Sequence, residues 1–124
     1  MQQLLYIAAG GALGAVLRYG VSNGVHLIFG RAFPYGTLTV NVLGSLLIGF
    51  LYILLIERYS LGPNVRAILI IGVLGAFTTF SAFSLETYNL LENGEFIKAI
   101  LNILLSVTLC LLAAWAGVLI GREL

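Results

Sequence analysis

Residues 75–86 read GAFTTFSAFSLE and interrupt an otherwise apolar run of the chain. Two threonines, two serines and, three residues apart, Phe80 and Phe83 stand where leucine or valine would suit a lipid environment equally well. Glycine and the β-branched threonines also lower helix propensity at this point. The stretch is therefore where a membrane helix would break, and its side chains indicate that a solute is handled there.

The composition is that of an integral membrane protein. Of the 124 residues, 60% are hydrophobic, 9% are charged and none is Asp, which excludes a soluble globular domain. Four apolar runs each approach or exceed the roughly 20 residues that a bilayer-crossing helix needs. We therefore predict an all-α integral membrane protein, one domain over residues 1–124, whose third helix is broken near its middle. The four transmembrane helices are predicted at about residues 4–29, 35–56, 67–90 and 97–120.

Charge and cysteine content exclude several functional classes. The net charge of +1 indicates neither a nucleic-acid surface nor a polybasic membrane patch. The single Cys110 has no Cys or His at metal spacing around it, so neither a disulfide nor a zinc site is indicated. No nucleophile and base pair is visible, so an enzyme is not expected. The first apolar run is too long for a cleaved signal, and we expect it to be retained as a helix.

Basic residues near the span ends give only a weak orientation signal. Arg58, Arg66 and Arg122 fall on the side of the N-terminus, and Arg31 and Lys98 fall on the other. Lys and Arg normally accumulate on the cytoplasmic side. Such a small difference predicts a dual-topology protein, whose copies insert both ways and pair as an antiparallel homodimer.

The first helix carries small residues and one charge. Gly10 with Gly14, and Gly20 with Gly24, form two small-xxx-small pairs that allow a neighbouring helix to approach closely. Arg18 lies inside the apolar run, and two interpretations stay open. Its guanidinium either extends to the membrane interface or faces a water-filled vestibule, where it attracts anions.

Polar residues recur every four positions in the second and fourth helices, which places them along one face. In the second helix, Asn41 weakens a pure packing interpretation because its two N–H donors suit an anion. The fourth-helix stripe either lines a narrow path or bonds back to its own backbone. The stripes are Thr37, Asn41, Ser45 and Gly49, and Asn102, Ser106 and Cys110.

A break in the third helix would serve two ions at once. It exposes carbonyls at the end of one half-helix, which suit a cation, and N–H groups at the start of the next, which favour an anion. Phe80 and Phe83 share a face just beyond the proposed break. Their positive ring edges and the hydroxyls beside them could solvate an anion without gripping it too tightly. Packing in the core is the alternative for the two rings, and Glu86 is better explained by a structural role than by a conducting one.

Three segments together resemble the Fluc or CrcB family of fluoride channels. They are GALGAVLRY in the first helix, GTLTVNVLGS in the second and the TTFS-x-F pattern in the third, and they occur in the family's order and spacing. The resemblance spans essentially the whole chain. It implies a passive, fluoride-selective channel in the bacterial inner membrane that exports fluoride from the cytoplasm. It also implies an antiparallel homodimer with two pathways, each built from both subunits.

The resemblance also assigns roles to residues. Phe80 and Phe83 would line the pores, and Asn41 would donate its amide to fluoride. The backbone carbonyls of Gly75 and Thr78, with their symmetry mates, would hold a structural Na⁺ at the dimer interface. The remaining residues implied for the pathway, or for its vestibule and borders, are Arg18, Ser81, Ser84, Glu86 and Ser106.

Two other functions are alternatives to the channel. A small proton-coupled multidrug antiporter also has four spans and can show dual topology, but it needs a membrane-embedded carboxylate to exchange protons for a cationic drug. Glu86 is the only acid inside a predicted span, and small donors surround it. A membrane scaffold would explain the small-residue seams but neither Asn41 nor the Thr78-Thr79 pair. The sequence favours the channel.

Overall fold

The computed structural model describes residues 1–59 and 61–124 as an all-helical chain. Most of it is α-helix, but two stretches have the wider turns of a π-helix, and we name them π1 and π2. The elements in chain order are α1 (Gln2–Phe29), α2 (Tyr35–Tyr52), π1 (Ile53–Arg58), α3 (Pro63–Arg66), π2 (Ala67–Leu74), α4 (Gly75–Phe77), α5 (Phe80–Glu92) and α6 (Phe96–Glu123).

These elements combine into four helices that are long and apolar enough to cross a membrane. They are Gln2–Phe29, Tyr35–Arg58, Pro63–Glu92 and Phe96–Glu123. The number of membrane-spanning helices predicted from the sequence is confirmed. Each helix extends slightly beyond its predicted apolar run at one end or both, because hydrogen bonding continues into polar residues that hydropathy alone leaves out.

Glycines set the closest contacts between α2 and α6, which form the most extensively packed pair of helices. A Cβ on Gly49 would meet the backbone carbonyl of Ala114, and one on Gly117 would meet that of Leu46. Lipid tails are as apolar as the side chains, so membrane helices associate through close packing of this kind. Helix α5 packs against this pair.

The first helix packs against π2 through one of its two glycine pairs. A Cβ on Gly10 would meet the carbonyl oxygen of Ile68, and one on Gly14 would meet that of Val73. A Cβ on Gly20 or Gly24 would meet nothing within 4 Å. Only the first pair therefore serves packing between helices of the single chain.

Helical structure stops at Phe77 and resumes at Phe80. Thr78 (φ −91°, ψ 157°) and Thr79 (φ −153°, ψ 113°) both have extended backbone. Thr79 then caps α5, because its Oγ1 accepts a hydrogen bond of 3.2 Å from the N–H of Ala82. The interruption lies within GAFTTFSAFSLE, at the two adjacent threonines.

Polar contacts between helix ends fix which ends lie together. Arg58 at the end of π1 donates to the carbonyl oxygens of Gly121 and Arg122, at 3.1 and 3.3 Å. At the opposite end of the bundle, Lys98 donates to the carbonyl of Ala32 at 3.2 Å. The sequence predicts Arg58 and Arg122 on one side of the membrane and Lys98 on the other, and these contacts agree with that prediction.

Candidate functional site

A cleft of about 470 Å³ opens beside the interruption of the third span. Helix α2 contributes Asn41 and Ser45, and α6 contributes Ser106 and Cys110. The third span supplies both sides of its own interruption. Its lining residues from that span are Ile70, Leu74, Gly75, Thr78, Thr79, Phe80 and Phe83. Three spans therefore meet at one cleft, whose few polar groups sit on largely apolar walls.

Asn41 holds the extended backbone at the interruption with two hydrogen bonds. Its Oδ1 accepts from the N–H of Thr79 at 2.8 Å, and its Nδ2 donates to the carbonyl of Thr79 at 3.1 Å. A backbone group left unpaired in a bilayer costs several kcal/mol. The carboxamide thus replaces bonds that the helix loses here, and one of its two N–H donors is used for that purpose.

Two backbone carbonyls at the interruption lose their usual helical partners. In an uninterrupted helix the N–H of Thr79 would bond to the carbonyl of Gly75, but here it bonds to Asn41. The N–H of Ala82 would likewise bond to the carbonyl of Thr78, but here it bonds to Thr79 Oγ1. These are the two carbonyls that the family resemblance implies for a Na⁺ site.

Arg18 caps the first half of the third span. Its Nε donates to the carbonyl of Ala76 at 3.0 Å, and its side chain is partly buried. The carbonyl of Ala76 lies at the end of α4, where helix geometry leaves it without a backbone donor. Neither of the two interpretations that the sequence leaves open for Arg18, the membrane interface or a water-filled vestibule, predicts this contact. The guanidinium binds backbone at the interruption rather than lining the cleft.

The two phenylalanines of the TTFS-x-F pattern stand together at the cleft. Their ring centroids are 5.2 Å apart and the rings are tilted by 46°. Phe80 is 77% exposed in the single chain, and Phe83 is half-buried. Core packing within this chain therefore does not account for Phe80, whose ring edges are free to contact an anion or another molecule.

Glu86 lies outside the cleft and is bound to the second span. Its Oε2 accepts a 2.9 Å hydrogen bond from Oγ1 of the buried Thr37. Its Oε1 is buried and, among the described residues, has no hydrogen-bond partner. The carboxylate therefore ties α5 to α2, and one of its oxygens keeps an unused acceptor. The sequence alone indicates Thr37 only as part of the polar stripe of the second helix.

A buried polar chain connects α6 with α5 behind Phe83. Asn102 is 2% exposed, and its Nδ2 donates to Thr87 Oγ1 at 2.9 Å. Thr87 Oγ1 in turn donates to the carbonyl of Phe83 at 2.8 Å. Ser106 Oγ, which also lines the cleft, donates to Asn102 Oδ1 at 3.4 Å. Thr87 was not singled out from the sequence, because a threonine inside a helix carries no signal by itself.

Of the residues predicted for the pathway, the cleft brings together Asn41, Phe80, Phe83 and Ser106. Ser81 and Ser84 are exposed and bond locally. Ser81 Oγ lies 3.2 Å from Thr79 Oγ1, and Ser84 Oγ donates to the carbonyl of Phe80 at 3.0 Å. Their roles in a pathway remain predictions.

Comparison with known sequences identifies the family. A sequence model described as "CrcB-like protein, Camphor Resistance (CrcB)" matches residues 5–118. This chain belongs to the CrcB-like family. A relative from Coxiella burnetii strain Dugway 5J108-111 is 54% identical over 98% of both chains. A relative from Geobacter sulfurreducens is 50% identical over the full length of both chains. Each of these two proteins is named "Fluoride-specific ion channel FluC".

Relatives of this CrcB-like chain differ in length. The Methylococcus capsulatus protein, which is also named "Fluoride-specific ion channel FluC", is 54% identical over 98% of this chain. The chain spans about half of that relative, or 53% of its length. The similarity therefore covers all four spans of this chain, and the relative has further sequence beyond it.

Proposed function

We propose that this protein is a fluoride-specific ion channel that passively exports fluoride from the cytoplasm across the bacterial inner membrane. The observation that carries the proposal is the 54% identity to a protein named for that activity, over 98% of both chains. The cleft supports it, because aromatic ring edges, an amide and hydroxyls converge there without a full positive charge. An ion must bind well enough to enter a path and weakly enough to leave it.

Fluoride would be handled by donors that the fold has already positioned. Asn41 keeps one N–H donor beyond the one bonded to Thr79. Phe80 and Phe83 offer positive ring edges, and Ser106 offers a hydroxyl from α6. These groups would replace part of the ion's hydration shell in succession. Ser81, Ser84, Glu86 and Arg18 would act beside this path rather than in the cleft.

We further propose that two copies pair in antiparallel orientation, with the third-span interruptions meeting at the interface and two pathways between the subunits. Weakly biased flanking charges support insertion in both directions. The single chain also leaves Phe80 exposed beside an open cleft, which a second copy would complete. Labelling of both chain ends from each side of the membrane tests this. A strong one-sided result would contradict dual topology.

The interruption suits a structural Na⁺ at such an interface. The carbonyls of Gly75 and Thr78 have lost their regular helical donors, and carbonyl oxygens suit a hard cation. Within residues 1–59 and 61–124 no cluster of three His, Cys, Asp or Glu competes for it. Four carbonyls from two copies would hold the ion, which would supply positive charge against their dipoles and bind the copies together.

Reconstitution in liposomes tests the channel proposal. Purified protein is placed in vesicles loaded with potassium fluoride, valinomycin is added, and efflux is followed with a fluoride electrode beside a potassium chloride control. We expect fluoride efflux that depends on valinomycin, with chloride retained. The multidrug antiporter stays the alternative, since Glu86 is a carboxylate inside a span. Absence of fluoride movement, or movement that requires a counter-proton, would contradict the channel.

A further inference from the structure

Most of the large apolar side chains of helix α5, which carries Phe80 and Phe83, are exposed in the single chain. Its buried residues are Thr87 and Leu90. In the described part of the chain, side-chain hydrogen bonds reach the half-helix and its cap from other spans at three places. Those bonds come from Asn41, Thr37 and Asn102. The position of α5 therefore depends on polar contacts more than on apolar packing.

The bond from Asn102 differs from the other two because it acts directly behind an aromatic ring of the cleft. Asn102 binds Thr87 Oγ1, whose hydrogen is directed to the carbonyl of Phe83. The three side chains that form this hydrogen-bond chain are all buried, with exposed fractions of 8% for Ser106, 2% for Asn102 and 8% for Thr87. A polar chain enclosed in this way costs free energy unless its members are paired, so it specifies one arrangement.

The two ends of this hydrogen-bond chain, at Thr87 and at Ser106, are bound with unequal strength. Asn102 Nδ2 to Thr87 Oγ1 is 2.9 Å, an ordinary hydrogen bond, whereas Ser106 Oγ to Asn102 Oδ1 is 3.4 Å. Hydroxyl bonds normally fall at about 2.7–2.8 Å. The Phe83 end is therefore fixed, and the Ser106 hydroxyl at the cleft is held loosely enough to turn towards an anion.

We propose that Asn102 is a positioning residue for the cleft. Through Thr87 it fixes the backbone of Phe83, and through its Oδ1 it holds the Ser106 hydroxyl at the cleft. The proposal rests on the fluoride-channel function for its effect on flux, but not for its effect on the position of Phe83. Asn102 itself lies outside the residues that line the cleft.

A pair of substitutions at Thr87 separates positioning from packing. Thr87→Val keeps the volume and removes the hydroxyl, and Thr87→Ser keeps the hydroxyl and removes a methyl group. If the hydrogen-bond chain positions Phe83, Thr87→Val slows fluoride efflux at least about fivefold, and Thr87→Ser stays within about twofold of the unmodified protein. If only volume matters, the order is reversed, and that result overturns the proposal.

Asn102→Leu completes the test. We expect it to slow efflux as much as Thr87→Val does. The double variant that combines Asn102→Leu with Thr87→Val should be no slower than either single variant, because each of the three variants breaks the same hydrogen-bond chain. Thr108→Val, at an exposed hydroxyl of the same helix α6, is the matched control and should leave efflux unchanged. Additive losses in the double variant would overturn the proposal.

The position of Phe83 is read independently by ¹⁹F NMR of protein labelled with 4-fluorophenylalanine. The resonance of residue 83, assigned by its loss in Phe83→Ile, should shift or broaden in Thr87→Val and remain in place in Thr87→Ser. An unmoved resonance in Thr87→Val would overturn the positioning role. If the unmodified protein carries no fluoride, the channel proposal fails, and this spectrum still decides the role of Asn102.

Discussion

The two halves of the third span are held in the bundle by different forces. The first half, residues 63–77, lies against α1, where Gly10 and Gly14 bring backbone into contact with backbone. The second half, α5, is held mainly by hydrogen bonds from side chains of α2 and α6. Close packing of backbone presents no polar side chain to a solute, whereas the polar side chains around α5 include donors that can bind an ion. The comparison indicates that the first half is framework and the second half is the part that meets the solute.

The largest expected effect comes from the framework half. Gly14→Ala places a Cβ against the carbonyl of Val73, and backbone atoms there have little freedom to move. Overpacking typically costs about 1–3 kcal/mol, and contact with backbone lies at the upper end. We expect the melting temperature in detergent to fall clearly, because such a cost is a large fraction of a protein's total stability. Gly11→Ala, whose Cβ meets nothing within 4 Å, is the matched control. Equal loss in both would show that this packing is not what holds the framework.

Phe83→Ile tests the second half where it meets the cleft. We expect a folded protein whose fluoride efflux is slower by about tenfold or more, which corresponds to at least ~1.4 kcal/mol of added barrier. The reason is that isoleucine fills space but has no positive ring edge. Phe80→Ile should behave in the same way. Unchanged efflux in both variants, measured in liposomes, would remove the aromatic rings from the pathway.

Asn41→Leu tests the point where the two halves join. It removes both bonds to Thr79 and leaves a backbone N–H and carbonyl unpaired, at a cost of about 1–3 kcal/mol in the free energy of unfolding. We expect a lower melting temperature together with slower efflux, because the same side chain holds the interruption and serves the ion. A normal melting temperature with slow efflux would restrict Asn41 to ion binding.

The smallest effect is expected from the bond between Thr37 and Glu86. Thr37→Val removes one hydrogen bond, and such bonds between membrane helices average about 0.6 kcal/mol. Efflux should fall by only about threefold, which is what that free energy corresponds to. Thr39→Val, on the same helix, should have no effect. A loss as large as that of Phe83→Ile would mean that Glu86 takes part in conduction rather than in holding α5.

Much of the fold could be predicted from the sequence because hydropathy is a local property. The four spans follow from apolar runs, and the low helix propensity of Thr78 and Thr79 falls where the backbone is extended. Only one of the two glycine pairs, Gly10 with Gly14, marks a contact between helices of the single chain. Gly20 and Gly24 have the spacing of a packing seam but face open space in the single chain, since spacing does not reveal which face of a helix has a neighbour.

The candidate site was predicted less completely. Asn41, Phe80, Phe83 and Ser106 were identified from residue type and spacing, and they meet at one cleft. The bond of Arg18 to Ala76 and the bond of Asn102 to Thr87 could not be predicted. Each joins residues from different helices, and no periodicity within one helix carries that information.

The sequence by itself determined that the chain crosses a membrane four times, that its third span is weakest at two threonines, and that polar and aromatic groups lie there. Those properties depend on residues close together in the chain. Only the tertiary structure decided how the lost helical bonds are replaced, with Asn41 and Arg18 binding the interrupted backbone. It also decided which polar side chains position α5 and which line the cleft. The physical reason is that a backbone group cannot stay unpaired in a bilayer, and the partner that satisfies it comes from whichever helix the fold brings near.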